Sequence, residues 1–254
     1  RSVAVTGVQT CALPICGTIG HENEYLKIRE NLGPIPLKDG GIEGSLIDYL
    51  KYLKEISTNL NFVLGANIET EIREILNGIF GSGPVRGLVH WDPCPDNCKL
   101  VRGDMKIYDF ERASFANVFV DAVYAMMRFP SCWCVADIPD HVIKGAELAY
   151  RAVLGRTVPE MHNDGFYEKN FASACAFWFL RSTFWNFEEA LSGDRIWGHS
   201  TIRQRLVVRS EVSAKYLKKS NYFPSVMDAF QSIHQGLKAR WGAENSVMPL
   251  YPVF

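Results

Sequence analysis

One stretch limits what this chain can fold into: residues 88–111, LVHWDPCPDNCKLVRGDMKIYDFE. On both sides of it apolar residues recur at helical spacing, and within it they do not. LVHW reads as a short buried strand. KLV and KIY read as two more, joined by Arg102-Gly103-Asp104, a turn that suits a hairpin. Asp92 and Asn97 therefore fall on a loop between a strand and a hairpin, and Asp109 just past the hairpin's second strand. A hairpin folds back on itself, which returns Asp109 to the neighbourhood of Asn97. A carboxylate and an amide oxygen brought together are hard ligands of the kind Mg²⁺ prefers. A second carboxylate, Asp92, is then free to accept a proton.

The flanks predict helices. Residues 21–32 are charged and helix-prone, and 34–42 read as a Pro- and Gly-rich loop. From Glu43 to Leu60 the positions Leu46, Ile47, Leu50, Leu53 and Ile56 share one helical face. Asn67 is placed to cap a helix running through Phe80. Past Glu111 the segment Phe115 to Met127 is apolar nearly all round except for Asp121, and reads as helical. A helix starting within Asp137–Asp140 runs to about Leu154, with Gly155 in the left-handed stop position. Asp164 is placed to cap a long helix to about Leu191, whose crowded aromatics read as core. Ser200 or Thr201 opens the next helix and Pro224 the last, and the tail MPLYPVF is expected to dock on the body. The expectation is a mainly α fold carrying a small β-hairpin, with no repeat of a helical solenoid.

Composition excludes several classes. A formal net charge of -1 gives no case for nucleic acid or an anionic membrane surface. The longest apolar run, Ala172 to Leu180, is about half a membrane span. Seven cysteines lack the spacing of a small disulfide scaffold, so a reducing, cytoplasmic setting with ordinary buried thiols is expected. Cys94-x3-Cys98 and Cys132-x-Cys134 are poor zinc spacings. Residues 1–16 have no periodicity, and Val5 to Ile15 resembles the in-frame translation of a sequencing-adapter oligonucleotide. We therefore expect 1–16 to be non-native, and the natural sequence before Gly17 to be missing.

The pattern H-x-D-x-x-x-x-N, a hairpin, then I-x-D-F-E resembles the catalytic centre of the aminoglycoside-phosphotransferase-like kinases, relatives of the protein kinases. The resemblance implies that residues 17–254 are a kinase-like C-lobe. Residues 88–111 would be its catalytic loop and metal hairpin, and 112–254 its helical substrate subdomain. It implies Asp92 as catalytic base, His90 as a brace of the loop, and Asn97 and Asp109 as ligands of the Mg²⁺ that bridges the phosphates of ATP or another nucleoside triphosphate. It also implies Asp121 as the residue that supports the loop, through backbone amides near His90–Asp92. The family's N-lobe, with its nucleotide-phosphate lysine, has no counterpart in the helices and loops read before the motif, so this chain alone is expected to be an inactive fragment. Trp91 stands where the family has Gly; it either crowds the acceptor site or is a sequencing error.

The expected activity is ATP- and Mg²⁺-dependent phosphotransfer to a hydroxyl of a small molecule. Residues 112–254 carry 16 basic against 13 acidic side chains, which favours a neutral or singly charged alcohol over a polycation. Asp137, Asp140 and Glu147 offer a small acidic patch, read first as solvated capping charges. Two other readings stay open: a non-catalytic pseudokinase or helical interaction module, and a metal-dependent hydrolase using His90, Asp92 and Asp109.

Overall fold

The computed structural model describes residues 16–32, 45–102 and 104–254. The adapter-like segment, apart from Cys16, and the expected 34–42 loop lie outside them. The fold is mainly helical with three small antiparallel strand pairs. Among the described residues no helix is long and apolar enough to cross a membrane.

Helix α1 (Glu22–Leu32) is tied to the body by Glu22, which pairs with Arg86 at 2.7 Å. Helix α2 (Leu46–Leu60) begins at a capping box in which Ser45 and Asp48 satisfy each other's backbone amides. Its inner face differs from the expected one. Ile47 is 75% exposed, while Tyr49, Tyr52, Leu53 and Ile56 are buried. Tyr52 fits because burial takes its ring while its hydroxyl donates to the Thr183 carbonyl. Helix α3 (Ile68–Phe80) buries Ile68, Ile72, Ile75 and Ile79. It also buries Glu71, whose carboxylate accepts the Ser225 and Val226 amides at the start of the last helix.

Next come β1 (Arg86–Val89), β2 (Cys98–Val101), β3 (Asp104–Ile107) and β4 (Ser114–Asn117). Strands β2 and β3 form the expected hairpin, Cys98 opposite Ile107 and Val101 opposite Asp104. Strand β1 pairs with β4, Val89 opposite Ser114. This pairing corrects the expectation of one helix over Phe115 to Met127. Ser114 to Asn117 takes its ladder bonds from β1 and buries Phe115 and Ala116 on that edge, and only a single-turn helix α4 (Phe119–Ala122) remains. Asn117 turns the chain from strand to helix by accepting the Phe119 amide.

Helix α5 (Asp140–Leu154) follows, then α6 (Asp164–Ser192), the strand pair β5 (Ile196–Trp197) and β6 (Ser200–Thr201), α7 (Ile202–Ser220) and α8 (Pro224–Trp241). Two capping details differ from expectation. Asn163, not Asp164, caps α6 by accepting the Phe166 amide. Gly155 has φ −62, so α5 stops without a left-handed residue. Thr201 with Gln204 makes the capping box of α7. Helix α6 runs through the core against α3, α4 and α7, with Phe177, Trp178, Phe179 and Phe187 buried and Phe184 and Trp185 partly exposed. The tail docks as expected: Asp137 donates its amide to the Pro249 carbonyl at 2.7 Å and accepts from the Tyr251 amide.

Candidate active site

The loop after β1 is held by its backbone. Asp121, on α4, accepts the His90 amide on Oδ2 at 2.7 Å and the Trp91 amide on Oδ1 at 3.1 Å. These are the amides expected for it from the sequence. Strand pairing explains the reach: β1 leads into the loop, and its partner β4 leads into α4. Burial pushes the Asp121 carboxyl up to about 6, and the two amides with His90 pull it partly back.

Those bonds hold Trp91 at φ +68, in the left-handed region that favours glycine. The backbone therefore has the geometry for which a glycine is the easy choice. A bulky residue costs roughly 1–2 kcal/mol there, and the indole offsets it by burial. It is 2% exposed, stacks on Phe80, meets Phe177 and Trp178 edge-on, and donates Nε1–H to Ser114 Oγ at 2.7 Å. The side chain lies in the core, so it does not crowd an acceptor site.

His90 is buried and uses both ring nitrogens. Nε2 donates to the Tyr108 carbonyl at 2.9 Å, and Nδ1 accepts the Asp92 amide at 3.3 Å. Its ring also meets Phe110 edge-on at 4.6 Å. His90 thus ties the loop to the chain just before and just after Asp109. It has no nitrogen left for a metal, which removes it from the ligand set that a hydrolase would need.

Asp92 is half-buried and its two oxygens differ. Oδ1 accepts from Tyr124 at 2.6 Å and from Ser131 at 2.8 Å. Oδ2 has a single 3.5 Å approach from Asn97 Nδ2. Burial first, then the Asp92 charge, raises the Tyr124 hydroxyl well above its ordinary range, so it stays a donor. Sequence reasoning missed Tyr124 and Ser131. The available signal was a lone hydroxyl within the apolar run 115–127, which needs a partner once buried.

Asn97 donates Nδ2 to the Asp92 carbonyl at 3.0 Å, and its own carbonyl accepts the Tyr108 amide across the hairpin mouth. That places Asp109 one residue from the Asn97 contact. Asp109 has φ +67 and opens a short 3₁₀ turn, Phe110–Arg112. Among the described residues no hydrogen bond reaches Asn97 Oδ1 or the Asp109 carboxylate. Both are hard oxygen donors with lone pairs to spare, the donor type that Mg²⁺ takes.

Two expectations on other residues need correction. Cys94 and Cys132 form a disulfide, where free thiols were expected; strands and loops brought together residues 38 apart in sequence. Asp137 does not contribute to an open acidic patch, because it pairs with the buried Arg128 at 2.5 Å. The depression lined by His199, Gln204, Val247 and Pro249 shares no residue with the Asp92 loop. No protein-family model matches this chain, and no curated protein matches it.

Proposed function

We propose that residues 88–121 are the acceptor-activating and Mg²⁺-binding part of a small-molecule kinase. The reaction is transfer of the terminal phosphoryl group of ATP, or another nucleoside triphosphate, to a hydroxyl. The fold around it is read as the C-lobe of a protein-kinase-like enzyme, on the motif resemblance together with the β1–β4 and hairpin frame. The observation that carries the reading is the asymmetry of Asp92: Tyr124 and Ser131 fix Oδ1, and Oδ2 is left to receive a proton.

Each residue has a role that its geometry supports. Asp92 orients the acceptor hydroxyl and takes its proton as the oxygen attacks. The fixed Oδ1 prevents the carboxylate from rotating away, so positioning is settled before substrate arrives. Asn97 Oδ1 and Asp109 would hold Mg²⁺, which when bound neutralises charge on the phosphates. His90 and Asp121 position the loop and touch no reacting atom. The acceptor is read as a neutral or singly charged small alcohol, and the setting as the cytoplasm, where nucleoside triphosphates are abundant.

The test is Mg·ATP consumption by the full natural product of this gene against a panel of small hydroxyl compounds. Asp92→Asn should lower turnover by about 10²–10⁴-fold with thermal unfolding little changed. Undiminished turnover in that variant would remove Asp92 from its role. No turnover with any hydroxyl would favour a non-catalytic module.

A further inference from the structure

Two short corners meet beside the Asp92 loop. One is Cys94-Pro95-Asp96, and the other is Cys132-Trp133-Cys134. Each offers two metal-ligating side chains one residue apart. The three sulfurs and an Asp96 oxygen all lie within 4.8 Å of one another. Cys134 Sγ is 3.2 Å from Cys132 Sγ and 4.0 Å from Cys94 Sγ. Tetrahedral zinc with Zn–S of about 2.3 Å would set its sulfurs about 3.8 Å apart. Sequence spacing failed to reveal the set because it paired Cys94 with Cys98, whereas the fold pairs it with the second corner.

We propose that Cys94, Cys132, Cys134 and Asp96 form a structural zinc site when the thiols are reduced. The donors suit the ion: three soft thiolates select zinc over Mg²⁺, and four protein ligands close the site to water. The three cysteines are buried, while Asp96 is exposed and gives the ion an entry. Trp133 Nε1 donates to Asp96 Oδ2, which leaves Oδ1, 3.9 Å from Cys132 Sγ, as the ligand atom. A ligating carboxylate is ordinarily held by such an outer bond.

A second, independent observation points the same way. Arg205 and Arg209, one turn apart on α7, are 0% and 1% exposed. Among the described residues they pair with carbonyls and a hydroxyl rather than with a carboxylate. Arg205 donates to the Cys132 and Trp133 carbonyls at 2.9 and 2.7 Å, on the second corner itself. Arg209 donates to the Arg128 and Phe129 carbonyls, and its Nε has no partner. Buried cations call for a counter-charge. Three thiolates and a carboxylate around a dication leave two net negative charges, which balances two guanidiniums.

The site would join the loop that carries Asp92 to the segment that carries Ser131, and so hold the 2.8 Å Ser131–Asp92 bond. It does not depend on the kinase reading.

The test uses the full chain, purified without oxygen in a phosphine reductant. The phosphine takes oxygen from water to become its oxide, and the Cys94–Cys132 bond becomes two thiols. Cobalt(II) is added first, then zinc displaces it. Expected are one metal per chain after dialysis, thiolate-to-cobalt charge-transfer bands, and the intense d–d absorption of a tetrahedral ion. Cys134→Ser leaves the Cys94–Cys132 pair intact and should weaken binding more than tenfold. Asp96→Asn, at an exposed position that does not endanger folding, should weaken it about 10- to 100-fold. Cys98→Ser should leave it unchanged. A reduced chain that unfolds and is restored by zinc supports the site. A reduced chain that stays folded without taking up cobalt, or Cys134→Ser and Asp96→Asn variants that bind as the parent does, overturns it.

Discussion

The loop His90–Asn97 and the hairpin Cys98–Ile107 are consecutive in sequence and opposite in character. The loop is anchored on every side: Asp121 takes two of its amides, His90 both donates and accepts, and Trp91 is set into the core. Among the described residues the ladder of the hairpin consists of its own two strands, and Lys99, Leu100 and Val101 are exposed. A two-stranded ribbon by itself is marginally stable in water. The difference assigns different work to the two. The loop fixes Asp92 by preorganisation, whereas the ribbon that leads to Asp109 is expected to open separately from the body. Substitutions in the loop should therefore change global stability, and substitutions in the hairpin should change local opening.

The largest effect is expected from Asp121→Ala. It orphans two amides that lose charge-assisted bonds, and should cost about 3 kcal/mol in urea unfolding, the lost bonds outweighing the relief of a desolvated carboxylate. A pH series tests the same residue. Its folded pKa of about 6 lies above the usual aspartate value. The folded chain thus keeps a proton that the unfolded chain releases. Its contribution is fully present below the pKa of an unfolded aspartate, about 4, and is lost as pH rises through about 6. Asp121→Asn should flatten that slope. A variant with the parent's slope and stability would mean that the loop does not depend on Asp121.

Trp91→Gly comes next and divides two opposing effects at one position. Relief of the φ +68 strain should return about 1–2 kcal/mol, while loss of a buried indole should cost about 3–5 kcal/mol. We expect a net loss of about 2 kcal/mol in denaturant unfolding. A glycine variant more stable than the parent would show that backbone geometry, not the packing against Phe80 and Phe177, governs this end of the loop.

Much of this contrast was legible in the sequence, and the part that was not has physical causes. The placement of α3 followed from a cap and apolar periodicity, and that of α7 and α8 from their start signals, Thr201 and Pro224. Strand β4 was not legible, because the four residues Ser114 to Asn117 are too few to show a period and their partners lie well upstream, Val89 opposite Ser114 and Arg86 opposite Asn117. A lone carboxylate in an apolar run shows that Asp121 needs donors, and the family resemblance of the motif pointed to the loop amides as those donors. Tyr124 carried the same signal of a buried polar group needing a partner, but nothing local marked Ser131 or chose Asp92, 32 and 39 residues away, as the partner they share. The Cys94–Cys132 contact is of the same kind. Local pattern shows which residues need partners, and only the packed chain selects them.

The smallest effect is expected at the tip of the hairpin. Arg102 has φ +52 and is exposed, so Arg102→Gly removes strain without losing packing. The gain should be about 1 kcal/mol for the hairpin. If ribbon and body unfolded as one, that gain would raise the melting temperature of a chain this size by about 2–4 °C. Separate opening predicts otherwise: the melting temperature stays within about 1 °C, because the ribbon has already opened when the body melts. The gain should appear instead in native-state hydrogen exchange, as about fivefold slower exchange of the ladder amides of Cys98–Val101 and Asp104–Ile107. A full rise in melting temperature would break the contrast between the two regions. The ribbon that leads to Asp109 would then melt only with the core, as the Asp92 loop does.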